Sequence, residues 1–377
     1  MTLLLTIILL LMLAFAVGLK WLHHINIHFA NVIPPSRPSW PTVSVIVPIH
    51  NGGHKLEGAL KSLCNMDYPA LQIVAVNDRS TDNTAEVLTH LSKQYAHLSV
   101  VTVNQCPDAW LGKVHALDQG VQHANGDYFL LTDADVVFDP SLLKRVMDHV
   151  IEHDVQQFSV LPQVVVKGFW FRVTMLAQSL LFAGGMVINR GIIGVGAFNL
   201  ISKTALDEIG GMAKIALATV DDFQLSKEVQ KTQCGPQGMG QAGGMLQVEW
   251  YGSLREMVHG LEKNTFAFFG FSSLRAVMSL GATALVFLLP IIGMIFLSGS
   301  AFTIAVLIYV LTVGIAISQT RKLPIPIAYG VLYPVGILIA LWIAVRAMVV
   351  CLARGGIHWG GKFYSLRQLR AFRDDTA

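Results

Sequence analysis

The sequence predicts an α/β fold, with a doubly wound, mixed but mainly parallel sheet. An N-terminal transmembrane anchor and a C-terminal helical membrane domain flank it. Three observations carry this reading. Between residues 43 and 135, short β-branched runs alternate with helical spacings, the pattern of strands joined by crossover helices. Three stretches contain no Asp, Glu, Lys or Arg: Thr2–Leu19, Ala276–Thr320 and Leu323–Val345. Lys20–Arg275, by contrast, holds 22 acidic and 19 basic residues, enough charge for a water-facing domain. The 377 residues are 53% hydrophobic and 14% charged, with mean hydropathy +0.54, against about 25% charged in an ordinary soluble domain. The formal +3 is the sum of −3 over Lys20–Arg275 and +6 over Ala276–Ala377. With no basic run and no low-complexity polar stretch, nucleic-acid binding and disorder are poor descriptions.

The elements follow in order. Thr2–Leu22 is an apolar run of the roughly 20 residues that span a bilayer. No charged segment precedes it, so residues 1–22 read as a retained signal anchor rather than a cleaved leader. Lys20 lies at its end, and His23, His24 and Arg37 come after it. They place the histidines at the membrane surface and the following domain on the cytoplasmic side. That domain is expected over residues 40–270. Val43–Val47, closed by Pro48, reads as a buried strand; His50–Leu63 has helical spacing. Leu71–Val76 is a second strand, followed by a helix that Thr81 or Asp82 caps. Leu98–Val103 is a third strand, Val114–Gln122 a helix, and Tyr128–Thr132 a fourth strand running into Asp133-Ala134-Asp135.

In such sheets ligands bind at the carboxyl ends of the strands. The polar clusters fall there: His50-Asn51, Asn77-Asp78 and Asp133-Ala134-Asp135. Asp133 and Asp135 share a side if the strand continues, since side chains alternate. Two hard oxygen donors suit Mg²⁺ or Mn²⁺, although the same pair also serves as a solvated turn. Asp221-Asp222 at a helix start either favours the helix dipole or supplies a general base. Lys113 is either a surface lysine or a phosphate partner. Gly235–Gly244 lacks the Lys-Ser/Thr of a phosphate loop and reads as a flexible, gating segment. The four cysteines have no metal-type spacing and read as reduced thiols.

Residues 169–188 are apolar with few charges, either a core helix or an interfacial helix at a lipid entrance. The block over residues 276–350 divides into a hairpin turning at Gly299-Ser300 and a third segment broken by Pro324, Pro326 and Pro334. If that segment crosses, the basic tail at 354–377 lies outside, against the positive-inside rule. If it is re-entrant or interfacial, the conflict disappears.

Taken together, Val43–Asn51, Val76–Thr84, Asp108–Leu117, Asp133-Ala134-Asp135, Gly196–Lys203, Ile209–Gly211 and Val220–Phe223 resemble family 2 glycosyltransferases of the GT-A fold. The flanking apolar blocks and the tail Ile357–Tyr364 are similar to membrane-bound ceramide glucosyltransferase and to hopanoid- and carotenoid-associated bacterial enzymes. The resemblance implies a UDP-sugar donor, a divalent cation, a membrane lipid acceptor and a multi-pass protein of the bacterial inner membrane. It implies donor-binding roles for Pro48, His50, Asn51, Asp78, Lys113 and Asp133, with Asp78 at the uracil or ribose. Asp135, with Asp133, would hold the metal. Asp222, beside Asp221, would be the base of an inverting transfer. Two departures stand out. Gly360 replaces a basic residue of the tail motif, and the family's Gln-x-x-Arg-Trp motif is absent, leaving Arg255 or Lys263 to substitute and favouring a single transfer over polymer synthesis. The alternative reading is a degenerate domain that binds nucleotide sugar without catalysis; retention of all the acidic positions argues against it.

Overall fold

The computed structural model describes all residues except 26, 35–36, 189–193 and 377. The side chains of residues 21–25, 188 and 374–376 lie outside the described set as well, and with them the expected surface placement of His23 and His24. The chain begins with α1 (Thr2–Ile25) and the two-residue strand β1 (Ile27–His28). Then come β2 (Val43–Ile49), α2 (Leu56–Cys64), β3 (Leu71–Asp78), α3 (Thr84–Gln94), β4 (Leu98–Val103), α4 (Gly112–Gln122) and β5 (Tyr128–Leu131). Next are β6 (Val136–Phe138), α5 (Leu142–Glu152), β7 (Gln157–Leu161), β8 (Gln163–Val164), the long helix α6 (Phe169–Ile188), β9 (Asn199–Ser202), α7 (Lys203–Glu208) and α8 (Asp221–Thr232). After β10 (Gln237–Gln241), β11 (Leu246–Val248), α9 (Leu254–Leu261) and α10 (Thr265–Phe268) stand three long helices, α11 (Ser273–Phe296), α12 (Gly299–Thr320) and α13 (Tyr333–Arg354). The chain closes with a hairpin, β12 (Gly356–Trp359) and β13 (Lys362–Ser365), and with α14 (Leu366–Thr376).

The main sheet has eight strands in the order β1-β10-β7-β9-β5-β2-β3-β4. Its pairings are parallel except where β9 runs antiparallel between β5 and β7. The strands the sequence marks as continuous apolar runs are those with both faces covered. Val43, Val45, Ile46 and Val47 are buried, as are Ile73, Val74, Ala75 and Val76. Burying each such side chain contributes about 1.5–3 kcal/mol. A smaller sheet, β6-β11-β8, lies beside the first.

One expectation is overturned. The glycine-rich segment is not a flexible gate; Gln237–Gln241 is β10, paired along its length with β7. Its glycines make room for aromatic rings. A Cβ on Gly238 would lie 2.7 Å from the Phe158 ring, and one on Gly240 would lie 2.4 Å from Phe29. The glycines answer a packing demand that leaves no β-branched signal.

Five described helices are long and apolar enough to cross a membrane: α1, α6, α11, α12 and, with the short 3₁₀ turn before it, α13. They form one group, α1 against α12, α11 against α12, and α6 against α13. Small residues allow close approach: a Cβ on Gly336 of α13 would lie 2.4 Å from the Val173 carbonyl oxygen of α6. The hairpin between α11 and α12 turns at Leu297-Ser298. The tail is folded back on the α/β domain. Arg370 donates to the Phe271 carbonyl at 2.8 and 3.1 Å, and Gly360 and Gly361, at φ +54 and +78, form the reverse turn of the β12–β13 hairpin, a conformation glycine adopts without steric cost.

Candidate active site

Parallel registration sets the first half of the site. Ile49 of β2 pairs with Asn77 of β3, so the loops after both strands open at one edge. His50 Nδ1 lies 2.6 Å from the Asp78 carbonyl oxygen. Asn51, in the left-handed region at φ +53, accepts from the Thr81 N–H through its side-chain oxygen at 2.8 Å. These two residues tie the first loop to the second, while Pro48, expected to close the strand, lies within β2 opposite Val76, and the pairing runs on to Ile49. Asp78 is buried, 3% exposed, and Arg79 grips its carboxylate at both oxygens, at 2.7 and 2.8 Å. Gly112, the first residue of α4, allows this pair to sit at the helix start; a Cβ there would meet the Arg79 guanidinium at 2.5 Å and the Asp78 carboxylate at 2.9 Å.

Lys113, the next residue of α4, joins two of the acidic motifs. Lys113 Nζ lies 2.8 Å from Asp133 Oδ1 and 3.2 Å from Asp221 Oδ2. Asp221 and Asp222 open α8, where carboxylates favour the helix dipole. Asp222 is held by backbone donors: the Gly196 N–H reaches Oδ2 at 2.7 Å and the Phe223 N–H reaches Oδ1 at 2.8 Å. Gly196 also accepts from the Asp133 N–H at 3.2 Å. One residue, through its N–H and its carbonyl, thereby couples the Asp133 and Asp222 motifs, which are 89 positions apart in the chain. Only glycine fits: a Cβ on Gly196 would lie 2.9 Å from Asp133 Oδ2, and one on Gly194 would fall 1.8 Å from the Asp222 carbonyl oxygen.

Four carboxylates around one ammonium perturb each other. Burial opposes the Lys113 charge, but Asp133, Asp221 and Asp222 outweigh it and raise its pKa well above the usual lysine value. Burial, reinforced by the neighbouring Asp221 carboxylate, pushes Asp222 up to about 7. Burial and Asp133 push Asp135 up to about 6. Asp135 makes no ion pair among the described residues, so a divalent cation beside Asp133 and Asp135 would compensate the Asp135 carboxylate, which Lys113 does not neutralise. No group of three or more His, Cys, Asp or Glu that could hold a metal occurs among the described residues. The remaining ligands would therefore have to come from substrate or water.

Two rims border this cluster. On one, Lys55 Nζ meets Glu249 Oε2 at 3.4 Å, and the Tyr251 hydroxyl is raised by burial and by the Asp135 charge. On the other stands the tail hairpin. Lys362 Nζ reaches Asp108 Oδ1 at 2.7 Å, and the Tyr364 hydroxyl donates to the Trp110 carbonyl at 2.9 Å. Lys263 Nζ stands 4.3 Å over the Trp359 ring. Burial lowers its pKa, Lys113 lowers it further, and Asp133 and Asp221 oppose that, so it faces the carboxylate cluster. Arg255 is exposed on α9. Arg79 lies against the Gly360 turn, with its Nη2 3.7 Å from where a Cβ would stand.

The structure thus brings Lys113, Asp133, Asp221 and Asp222 into one contact chain, with Asp135 beside it and Asp78 at the edge formed by the loops after β2 and β3. His50 and Asn51 stay exposed and serve as loop ties. Arg79 and Trp359 fall inside segments that the sequence marks, Val76–Thr84 and Ile357–Tyr364, but their contacts were not legible there, because each acts through a partner distant in the chain or through a backbone turn.

Residues 44–210 match the model of glycosyl transferase family 2. A 97-residue stretch is 37% identical to the probable glycosyltransferase YdaM of Bacillus subtilis, covering 25% of this chain and 23% of that protein. Over 196 residues the chain is 28% identical to the beta-monoglucosyldiacylglycerol synthase of Synechocystis sp., covering 50% of this chain and 40% of that one. The chain spans less than half the length of the curated relatives it matches. A mannosyltransferase from Pyrobaculum calidifontis, solved with GDP-Man and Mn²⁺, shares the fold with TM-score 0.52 at 16% identity, over 90% of this chain and 99% of that one. The segment that matches the family 2 model carries the strand-end loops, Lys113, Asp133, Asp135 and Gly196, and the chain has the GT-A fold.

Proposed function

We propose that the protein is an inverting glycosyltransferase that moves a sugar from a UDP-sugar to a hydroxyl of a membrane lipid. The observation that carries this is the Asp222 carboxylate, fixed by two backbone N–H donors beside the ion pairs of Lys113 with Asp133 and Asp221. A carboxylate so oriented, with a pKa near 7, is matched to taking a proton at neutral pH.

The donor nucleotide would lie along the strand ends, with its base side near Asp78 and its diphosphate near Asp133, Asp135 and Lys263. Asp133 and Asp135 would hold Mg²⁺ or Mn²⁺, which when bound offsets the charge of the departing diphosphate. Lys113 keeps Asp133 and Asp221 in place, and Lys263, held over the Trp359 ring, supplies a cation that the missing Arg motif would otherwise provide. As the acceptor oxygen bonds to the anomeric carbon, its proton passes to Asp222. The bond from that carbon to the phosphate oxygen breaks on the opposite face, and UDP leaves with the electron pair. One displacement inverts the configuration.

A lipid acceptor is supported by the apolar helices gathered beside the domain and by the 28% identical relative named as a monoglucosyldiacylglycerol synthase. Hopanoid, carotenoid and sphingolipid-like hydroxyls belong to the same chemical class. The basic residues flanking the apolar helices support a domain on the cytoplasmic face. The test is transfer of label from a panel of UDP- and GDP-sugars, with Mn²⁺, to extracted lipid by the detergent-purified protein. Label transfer that falls about 10²–10⁴-fold in Asp222→Asn supports the reading. Absence of transfer and hydrolysis with every donor, or an unchanged Asp222→Asn, removes it and leaves a nucleotide-sugar-binding component.

A further inference from the structure

We infer that only three of the five apolar helices, α1, α11 and α12, cross the membrane. Helices α6 and α13 enter only from the face that carries the glycosyltransferase domain and return to it. Their exposed apolar sides rest against the acyl chains of that leaflet.

The inference follows from counting sides. Helices α11 and α12 form an antiparallel pair: a Cβ on Gly293 would lie 3.2 Å from Ala305 Cβ, close to the reversal at Leu297-Ser298. The start of α11 is on the domain side, since Arg370 bonds the Phe271 carbonyl just before it. The end of α12 therefore returns to that side. Helix α1 spans the same thickness, with Leu5 3.9 Å from the Gly293 position near the reversal and Gly18 against Val187 at the end of α6.

Helix α6 leaves β8 and returns to β9, and both strands belong to the domain's sheets. An even number of crossings is required, and 20 residues give about 30 Å of helix, enough for one. It makes none. The same parity binds α13. Its approach is on the domain side, where Tyr329 stacks 5.5 Å from Phe169 at the start of α6. Its end is there too: Arg346 and Arg354, eight residues apart, both pair with Glu262, at 2.5 and 3.5 Å. The hairpin that follows is bonded to Asp108 and Trp110. The apolar segment Ile327–Arg354 has 28 residues, too few for two crossings of a core about 30 Å thick.

The occupant of the exposed faces is a lipid leaflet. Trp170 of α6 and Leu338 and Trp342 of α13 are 54–56% exposed, and they continue the apolar surface of the crossing helices they pack against. Tryptophan at this level suits the boundary between acyl chains and headgroups. The arrangement also removes the charge conflict: Arg275, Arg321, Lys322, Arg354, Lys362 and Arg367 all fall on the domain side, as the positive-inside rule requires.

The test does not depend on enzymatic activity, so its failure is distinct from failure of the proposed transfer reaction. Full-length protein in sealed membrane vesicles is first freed of its half-exposed thiols (Cys106→Ala, Cys234→Ala); Cys64 and Cys351 are buried. Single variants Ser298→Cys, Lys322→Cys and Arg367→Cys are then exposed to a membrane-impermeant maleimide from one side. Positions 322 and 367 are expected to label from one face and position 298 from the opposite face. Labelling of 367 together with 298 overturns the inference. Protein without the added cysteines gives a second reading: trypsin should trim the tail at Arg367 and Arg370 only from the vesicle face at which position 322 labels, and trimming from the opposite face overturns the inference equally.

Discussion

Asp222 and Gly196 show how little of a carboxylate's chemistry resides in its own side chain. Two backbone donors fix the Asp222 oxygens, and Asp221, together with burial, lifts its pKa towards neutrality. If Asp222 is the base, it must be deprotonated, so activity falls as pH drops through that pKa. Asp221→Asn removes a like charge and lowers the pKa, so the acid limb of the kcat/KM profile should move to lower pH at constant metal. An unmoved or raised limb would assign the limb to another group. Gly196→Ala should reduce transfer at least tenfold while the melting transition stays within a few degrees, because the added carbon meets the Asp133 carboxylate at 2.9 Å rather than a packed core. The acidic motifs were legible in the sequence because strand-end position and spacing are local facts. The Asp78–Arg79 pair was not, since Arg79 turns back on its neighbour through a left-handed backbone, φ +51, which no residue pattern announces.

Elements with an apolar period were legible and the others were not. The first four predicted strands of the α/β domain agree with β2, β3, β4 and β5 to within two residues at either end, because fully covered parallel strands must be continuously apolar. Strand β10 was missed because its side chains are removed to admit the rings of Phe29 and Phe158. Gly240→Val should therefore destabilise the domain by roughly 1–3 kcal/mol as an overpacking change, read as a lowered thermal midpoint, despite the gain in strand propensity. The tail hairpin was visible as a motif, but its docking was not, since a four-residue strand carries no address. Trp359→Ala should free Lys263 and raise KM for the nucleotide sugar several-fold with a smaller change in kcat, whereas a purely structural role would lower stability and leave KM alone.

At the scale of the molecule, hydropathy identified every apolar helix but not which of them cross, since composition measures compatibility with lipid and says nothing about where the two ends are tied. Those ties are the β8 and β9 strands for α6, and Glu262 with the tail hairpin for α13. The antiparallel strand β9, seated between β5 and β7, has a further bearing on how the protein is made. It lies after α6 in the chain, so during synthesis a membrane-insertion apparatus meets a 19-residue apolar segment before the sheet is complete. Were that segment threaded through the bilayer, Asn199–Ser202 would emerge on the wrong side and the sheet would be left in two halves. The polar residues Arg172, Thr174, Gln178 and Ser179 hold its apolarity down. Converting Arg172 and Gln178 together to Leu should yield a chain of full length whose domain is digested by trypsin, because biogenesis would have committed it to the other topology before folding could object.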